Sequence, residues 1–310
     1  MTGSGIEVAP ARGGAEVGAA PLAVAAVVPA YNEEGGIGPV LDGLKEALLR
    51  GGWPFEIIVV DDGSSDRTAQ IASARGVTVV RHRTNKGYGA ALKSGIRHAG
   101  APYILIIDAD GTYPSDAILK LLELAGDNDM VVGARTGKSV HIPLIRRPAK
   151  WFLTRLATYL SSTKIPDLNS GLRIFRRDRA VHFFPILPAG FSFTTTITLA
   201  LLCNDFKVEY VPIDYSKRSG RSKIRPIRDT LNFLVLILRA ILHFNPMRIF
   251  FPASLVILGA FSASFAWDLL VRVDLTEKTL ILLFAGLQIL AIGLLADMIS
   301  KIPRGAGPSS

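Results

Sequence analysis

The sequence predicts an α/β protein: a mostly parallel sheet flanked by helices, followed by an interfacial helix and two C-terminal transmembrane helices. Short runs of branched apolar residues alternate with stretches of helical spacing, the pattern of strands and helices layered in turn. One such run, Ile104-Leu105-Ile106-Ile107, leads directly into Asp108-Ala109-Asp110. Near the C-terminus, Ile249 to Val271 and Thr279 to Ile299 are nearly free of charge. Each has about the 20 residues needed to cross the hydrocarbon of a bilayer.

The composition narrows the class further. The chain has 310 residues, 49% of them hydrophobic, and a formal net charge of +9 from 35 Lys+Arg against 26 Asp+Glu. Its mean hydropathy of +0.34 is high for a soluble enzyme, and the excess sits in the C-terminal third. Cys203 is the only cysteine and the five histidines are scattered, which argues against a disulfide framework and a Cys/His metal site. The basic balance suits phosphorylated or lipid partners. Aromatic residues are not interleaved with the cations, so nucleic acid is not expected as a partner.

In chain order, residues 1–21 are rich in Gly and Ala and read as a flexible tail rather than a signal peptide. A first strand, Ala23 to Val28, ends in Pro29-Ala30-Tyr31-Asn32-Glu33-Glu34, and Leu41, Leu44 and Leu48 then recur at helical spacing up to Gly51-Gly52. A second strand, Glu56 to Val60, delivers Asp61-Asp62-Gly63-Ser64-Ser65-Asp66; Gly63 supplies a tight turn, and Ser65 or Asp66 caps the next helix. After a third strand, Val77 to Val80, comes Asn85-Lys86-Gly87-Tyr88-Gly89, a turn able to present backbone N–H groups to a phosphate.

The strand ending at Asp108 follows. Residues i and i+2 of an extended chain point the same way, so Asp108 and Asp110 converge on one point. Gly111 and Pro114 then break the strand, placing both acids at its carboxyl end, where open α/β sheets bind ligands. Two hard oxygen ligands suit Mg²⁺ or Mn²⁺ bridged to a diphosphate.

Met130 to Gly133, Leu172 to Phe175 and Lys207 to Val211 read as further strands, and Phe193 to Leu202 as a helix despite its threonines. Between Arg135 and Arg155 the chain turns basic, and Lys217, Arg218, Arg221, Lys223, Arg225 and Arg228 form a second cationic cluster suited to a polyanion or a membrane surface. The expected organisation is a 22–226 catalytic domain, a 227–246 interfacial amphipathic helix lying along the bilayer, a 247–301 hairpin and a 302–310 tail. The cations flanking the hairpin place both the catalytic domain and the C-terminus in the cytoplasm. A homo-oligomer formed through the hairpin is left open.

With these residues in view, the chain resembles the family 2 glycosyltransferases of the GT-A (Rossmann-like) fold. Within them it is most similar to the polyprenyl-phosphate sugar transferases of the dolichol-phosphate mannose synthase group. The matching pieces run in order: Val28-Pro29-Ala30-Tyr31-Asn32-Glu33-Glu34, Val59-Val60-Asp61-Asp62-Gly63-Ser64, Asn85-Lys86-Gly87-Tyr88-Gly89, Asp108-Ala109-Asp110, Gly133-Ala134-Arg135, Asp167-Leu168-Asn169-Ser170-Gly171 and Arg218-Ser219-Gly220-Arg221-Ser222-Lys223.

The resemblance implies that Pro29, Tyr31 and Glu33 line the nucleotide end, with Lys86, Gly87 and Ala109 alongside, and that Asp62 or its neighbour Asp61 hydrogen-bonds the base. Asp108 and Asp110 face the diphosphate and its metal; Thr112 stands where the group has a glutamine ligand. Arg135, Ser170, Arg218 and Lys223 match phosphate-holding positions, and Arg146 and Arg147 match less closely as partners of the acceptor phosphate. Asp108, Asp110, Arg135 and Arg218 form the expected catalytic set. The implied reaction moves a hexose from a UDP- or GDP-sugar to a polyprenyl phosphate lipid in the membrane. A processive polysaccharide synthase is disfavoured because no Gln-x-x-Arg-Trp is present. A nucleotide-sugar-binding scaffold without turnover has only Thr112 in its favour.

Overall fold

A computed structural model describes residues 23–136, 155, 158–159, 163–190, 192–215, 235, 238–239, 242–272 and 274–301. Both predicted tails, most of the predicted interfacial helix, and Arg146, Arg147, Arg218 and Lys223 lie outside the described residues.

The strands are β1 (Val24–Ala30), β2 (Phe55–Asp61), β3 (Thr78–Arg81), β4 (Tyr103–Ile106), β5 (Met130–Ala134), β6 (Arg173–Arg176) and β7 (Val208–Pro212). They form one sheet in the order β3-β2-β1-β4-β6-β5-β7. Only β6 runs against its neighbours, pairing antiparallel with both β4 and β5; the other pairs are parallel. The expected strands are all present, shifted by one or two residues. All seven residues of β1 are buried, as a central parallel strand covered on both faces must be.

The helices that cover it are α1 (Ile37–Gly51), α2 (Thr68–Ser73), α3 (Tyr88–His98), α4 (Ser115–Ala125), α5 (Arg177–His182) and α6 (Phe193–Cys203). On one face Leu41, Leu44 and Leu48 of α1 meet Ile118, Leu121 and Leu122 of α4 over Val28, Val59 and Leu105. On the other, Leu92 and Ile96 of α3 meet Phe193, Ile197 and Leu201 of α6 over Val27, Ile58 and Ile106. The buried threonines of α6 are tolerable because they bond backward: Thr196 Oγ1 donates to the Ser192 carbonyl and Thr198 Oγ1 to the Thr194 carbonyl. The N-cap of α2 is Arg67, which makes no side-chain cap bond; Asp66, one residue earlier, accepts from Thr68 N at 2.9 Å.

The C-terminal elements are α7 (Met247–Trp267), which continues as a π-helical turn over Asp268–Arg272, and α8 (Glu277–Lys301). Both helices are long and apolar enough to cross a membrane. They close on each other where Gly286 faces Leu258 and Gly293 faces Phe250, while Val256, Leu270, Ile281 and Phe284 point outward, exposed. Asp268, near the end of the first span, is 3% exposed. Its Oδ2 accepts from Thr276 N, Thr276 Oγ1 and Thr279 Oγ1, satisfying the start of α8.

Gly95 sits where α3 presses on the sheet. A Cβ there would lie 2.4 Å from Val27 Cγ1 and 3.1 Å from Val60 Cγ2. Helix propensity favours Ala over Gly by up to ~1 kcal/mol, but overpacking costs about 1–3 kcal/mol. Gly95→Ala is therefore expected to lower the melting temperature. A raised one would show that the α3–sheet contact is looser than this.

Candidate active site

The site is built where the strands end. β1, β2, β4 and β5 point the same way, so Tyr31, Asp61, Asp62, Asp108, Asp110 and Arg135 emerge along one edge of the sheet. The antiparallel β6 begins at that edge, bringing Ser170 and Gly171 to it.

The two acids of the second strand have different surroundings. Asp62 is 3% exposed, and its carboxylate accepts from Lys86 N at 2.9 Å, Gly87 N at 2.8 Å and His82 Nδ1 at 2.7 Å. The His82 Nε2 lies 2.9 Å from Ser94 Oγ on α3. The amides that the sequence offered to a phosphate are thus held by a carboxylate of the chain itself. Asp62 fixes the turn before α3. Asp61 is fully buried; Oδ1 accepts from Ser64 N at 3.1 Å, and Oδ2 makes no hydrogen bond. Arg81 Nε, 3.1 Å from Oδ2, pairs with it by charge without hydrogen-bond alignment. Of the two acids expected at the base, Asp61 keeps an oxygen without a hydrogen bond among the described residues. A depression of about 340 Å³ lined by Gly63, Ser64, Arg81, His82 and Arg83 lies beside it.

The turn places Tyr88 so that its hydroxyl donates to Asp108 Oδ1 at 2.8 Å. Burial, with the nearby Asp108 charge, pushes the Tyr88 pKa well above the ordinary tyrosine value, so the phenol remains a donor. Asp108 Oδ2 rests against Gly171, where a Cβ would approach to 2.1 Å. Only glycine leaves room for the carboxylate. Asp110 Oδ1 accepts from Thr112 N at 3.2 Å and Thr112 Oγ1 at 2.6 Å. Thr112, 1% exposed, orients Asp110.

Behind the acids lies a layer that no local pattern announces. Tyr113 OH accepts from Gly171 N at 2.6 Å, and its ring meets Tyr215 edge-on at 5.4 Å. Arg135 donates from Nε to Asp167 Oδ2 at 2.7 Å and from Nη2 to Asp167 Oδ1 at 2.9 Å, and lies over the Tyr215 ring at 5.2 Å. Burial works against the Arg135 charge, but Asp167 outweighs it and holds the pKa above the ordinary arginine value. Arg135, expected to hold a phosphate, thus spends two of its donors on Asp167. Ser170, expected at a phosphate, is fully buried. Pro29 and Ala109 are buried too, whereas Tyr31 is 41% exposed and Lys86 is exposed. Arg173, Tyr113, His82 and Asp167 are the contributors that sequence reasoning missed; Asp167 lay inside a quoted motif, and His82 and Arg173 sit at strand ends with no periodic signal.

No group of three or more His, Cys, Asp or Glu side chains able to hold a metal occurs among the described residues. Asp108 lies just past the end of β4 and Asp110 in the turn that follows, not on one extended strand as expected; two carboxylates so close in the chain nevertheless suit a hard divalent cation whose other positions are filled by diphosphate and water oxygens. The donor set fits Mg²⁺ or Mn²⁺.

The sequence matches the family model described as glycosyl transferase family 2 over residues 25–183, and the GtrB C-terminal hairpin over residues 245–302. It is 32% identical to a dolichyl-phosphate hexose transferase of Haloferax volcanii, covering 66% of this chain and 87% of that one. It is 29% identical to an undecaprenyl-phosphate mannosyltransferase of Micrococcus luteus (66% and 88%). Identity is also 29% to an undecaprenyl-phosphate 4-deoxy-4-formamido-L-arabinose transferase of Pseudomonas aeruginosa (90% and 85%). In fold it is similar to glucosyl-3-phosphoglycerate synthase from Mycobacterium tuberculosis in complex with Mn²⁺, UDP and phosphoglyceric acid. That match has a TM-score of 0.58 at 20% identity, covering 71% of this chain and 78% of the other.

Asp62→Ala removes three hydrogen bonds to a buried carboxylate. Bonds to charged groups are worth about 1.5–3 kcal/mol each, partly recovered by water, so a loss of roughly 3 kcal/mol is expected. Hydrogen–deuterium exchange at Lys86 and Gly87 should accelerate sharply. Unchanged exchange there would mean that another group holds the turn.

Proposed function

Because the chain belongs to glycosyl transferase family 2, we propose that it transfers a hexose from a nucleoside-diphosphate sugar to a polyprenyl phosphate in the membrane. The products are a polyprenyl-monophosphate sugar and a nucleoside diphosphate. The observation that carries this reading is the occurrence, on one chain, of two oriented carboxylates at the ligand-binding edge of the sheet and a C-terminal hairpin long and apolar enough to span a bilayer. We place the chain in the membrane through two transmembrane helices with the catalytic domain on the cytoplasmic face, an orientation supported by the cations flanking the hairpin.

An oxygen of the acceptor phosphate attacks the anomeric carbon. The bond from that carbon to the diphosphate oxygen breaks, and the configuration inverts. A phosphate monoester loses its second proton near pH 6, so the acceptor is anionic at neutral pH and needs no strong base. Asp108, held by Tyr88, and Asp110, held by Thr112, would carry Mg²⁺ or Mn²⁺, which supplies charge neutralisation to the departing diphosphate. Asp61 accepts from the base. Donor and acceptor both bring negative charge, and the cations Arg135, Arg146, Arg147, Arg218 and Lys223 offset their repulsion and align them. Arg135 does so with the donors Asp167 leaves it. The anchor keeps the site at the surface where the lipid acceptor resides.

The test is transfer from labelled UDP- and GDP-hexoses to polyprenyl phosphate in detergent, with Mg²⁺ or Mn²⁺ and with chelator. Labelled lipid that requires the cation, and that falls by at least about 10³-fold in Asp110→Ala, is the expected result; ~4 kcal/mol of lost transition-state stabilisation corresponds to that factor. Nucleotide-sugar binding without turnover would replace this reading with that of a scaffold.

A further inference from the structure

Arg173 is fully buried at the first position of β6; among the described residues no carboxylate forms a direct ion pair with it, and the Asp167 charge acts on it only from a distance. Its guanidinium is satisfied by neutral acceptors: Nε and Nη2 donate to the Ser170 carbonyl, and Nη1 donates to the Thr194 carbonyl and Thr198 Oγ1, both at 2.9 Å. A buried cation without a directly paired carboxylate is costly, and a fold that needed only packing there would hold an apolar side chain. What the fork grips explains its presence. The peptide joining Ser170 to Gly171 offers its C=O to Arg173 and its N–H to the Tyr113 hydroxyl at 2.6 Å. That peptide is therefore held at both ends by buried groups, and its glycine is the surface on which the Asp108 carboxylate rests. The acceptors on α6 tie the same peptide to a helix whose Leu199 and Leu202 pack against Phe244 and Ile249, leading into α7.

We propose that Arg173 is a positioning residue: by gripping the Ser170–Gly171 peptide through its two-pronged fork, it sets the place of the Asp108 carboxylate and hence the affinity of the Asp108–Asp110 pair for a divalent cation. This rests on the reading that those two acids hold the cation. The fork matters as much as the charge. A lysine ammonium cannot span the Ser170 carbonyl and the Thr194 and Thr198 oxygens from one rigid plane.

The experiment uses the full-length protein in detergent. Free Mn²⁺ is followed by its electron paramagnetic resonance signal, with and without UDP or GDP, and melting temperatures are recorded in parallel. Arg173→Lys is expected to fold and to bind Mn²⁺ about ten-fold more weakly, while nucleotide binding without metal stays within about two-fold of wild type. In turnover it should lower kcat and leave KM for the lipid acceptor near wild type. Mn²⁺ binding equal to wild type in folded Arg173→Lys overturns the proposal. If Arg173→Lys does not fold, Thr198→Val decides, since it removes one acceptor of the fork and keeps the side chain's shape. Weakened Mn²⁺ binding there supports the proposal, and unchanged binding overturns it. Wild-type protein that binds nucleotide but never Mn²⁺ overturns instead the reading of Asp108 and Asp110 as cation ligands, and this inference with it.

Discussion

The site depends first on one buried carboxylate. Asp62 gathers the amides of Lys86 and Gly87 and the ring of His82, tying the ends of β2 and β3 to the start of α3. The next residue, Tyr88, is thereby aimed at Asp108. If the turn moved by an ångström, the phenol would miss the acid. The negative charge at the helix start is stabilised by the amides that would otherwise be unsatisfied, so the arrangement costs little to maintain. Two neighbouring acids, Asp61 and Asp62, thus divide the work: one closes the loop, and the other keeps an oxygen without a hydrogen bond.

From there the site is assembled by successive buried contacts rather than by free side chains. Thr112 fixes Asp110, Gly171 makes room for Asp108, Tyr113 and Arg173 hold the peptide before that glycine, and Asp167 holds Arg135. Preorganisation of this kind suits phosphoryl-bearing substrates, where alignment and charge placement supply most of the rate. On its far side, α6 links the layer to the segment leading into the membrane hairpin through Leu199, Leu202, Phe244 and Ile249. Fold, site and anchor are therefore mechanically continuous.

Much of the fold was legible because its signals are local and repetitive. Ile104–Ile107 reads as a buried strand from composition alone, and Leu41, Leu44 and Leu48 declare the inner face of α1. The Asp-x-Asp was legible as a candidate only through the motifs around it, since alone such a pair is more often a solvated turn. Direction and partnership were not. Nothing local in Arg173–Arg176 announces that β6 runs antiparallel between β4 and β5, yet that reversal brings Gly171 to Asp108. The same applies to the Asn85–Gly89 turn, whose amides looked ready for a phosphate and are answered by Asp62 from another strand. Each miss is a long-range pairing, invisible to a window of a dozen residues.

The central claim is a division of labour: Asp62 holds the fold, while Asp108 and Asp110 hold the cation and its diphosphate. Crystals grown with Mn²⁺ and the nucleoside diphosphate, measured at the manganese absorption edge, test it most directly. The account predicts an anomalous peak between the Asp108 and Asp110 carboxylates, with Asp62 still on the amides of Lys86 and Gly87. A peak on Asp62, or a bound nucleotide with Mn²⁺ away from the Asp108–Asp110 pair, would contradict it.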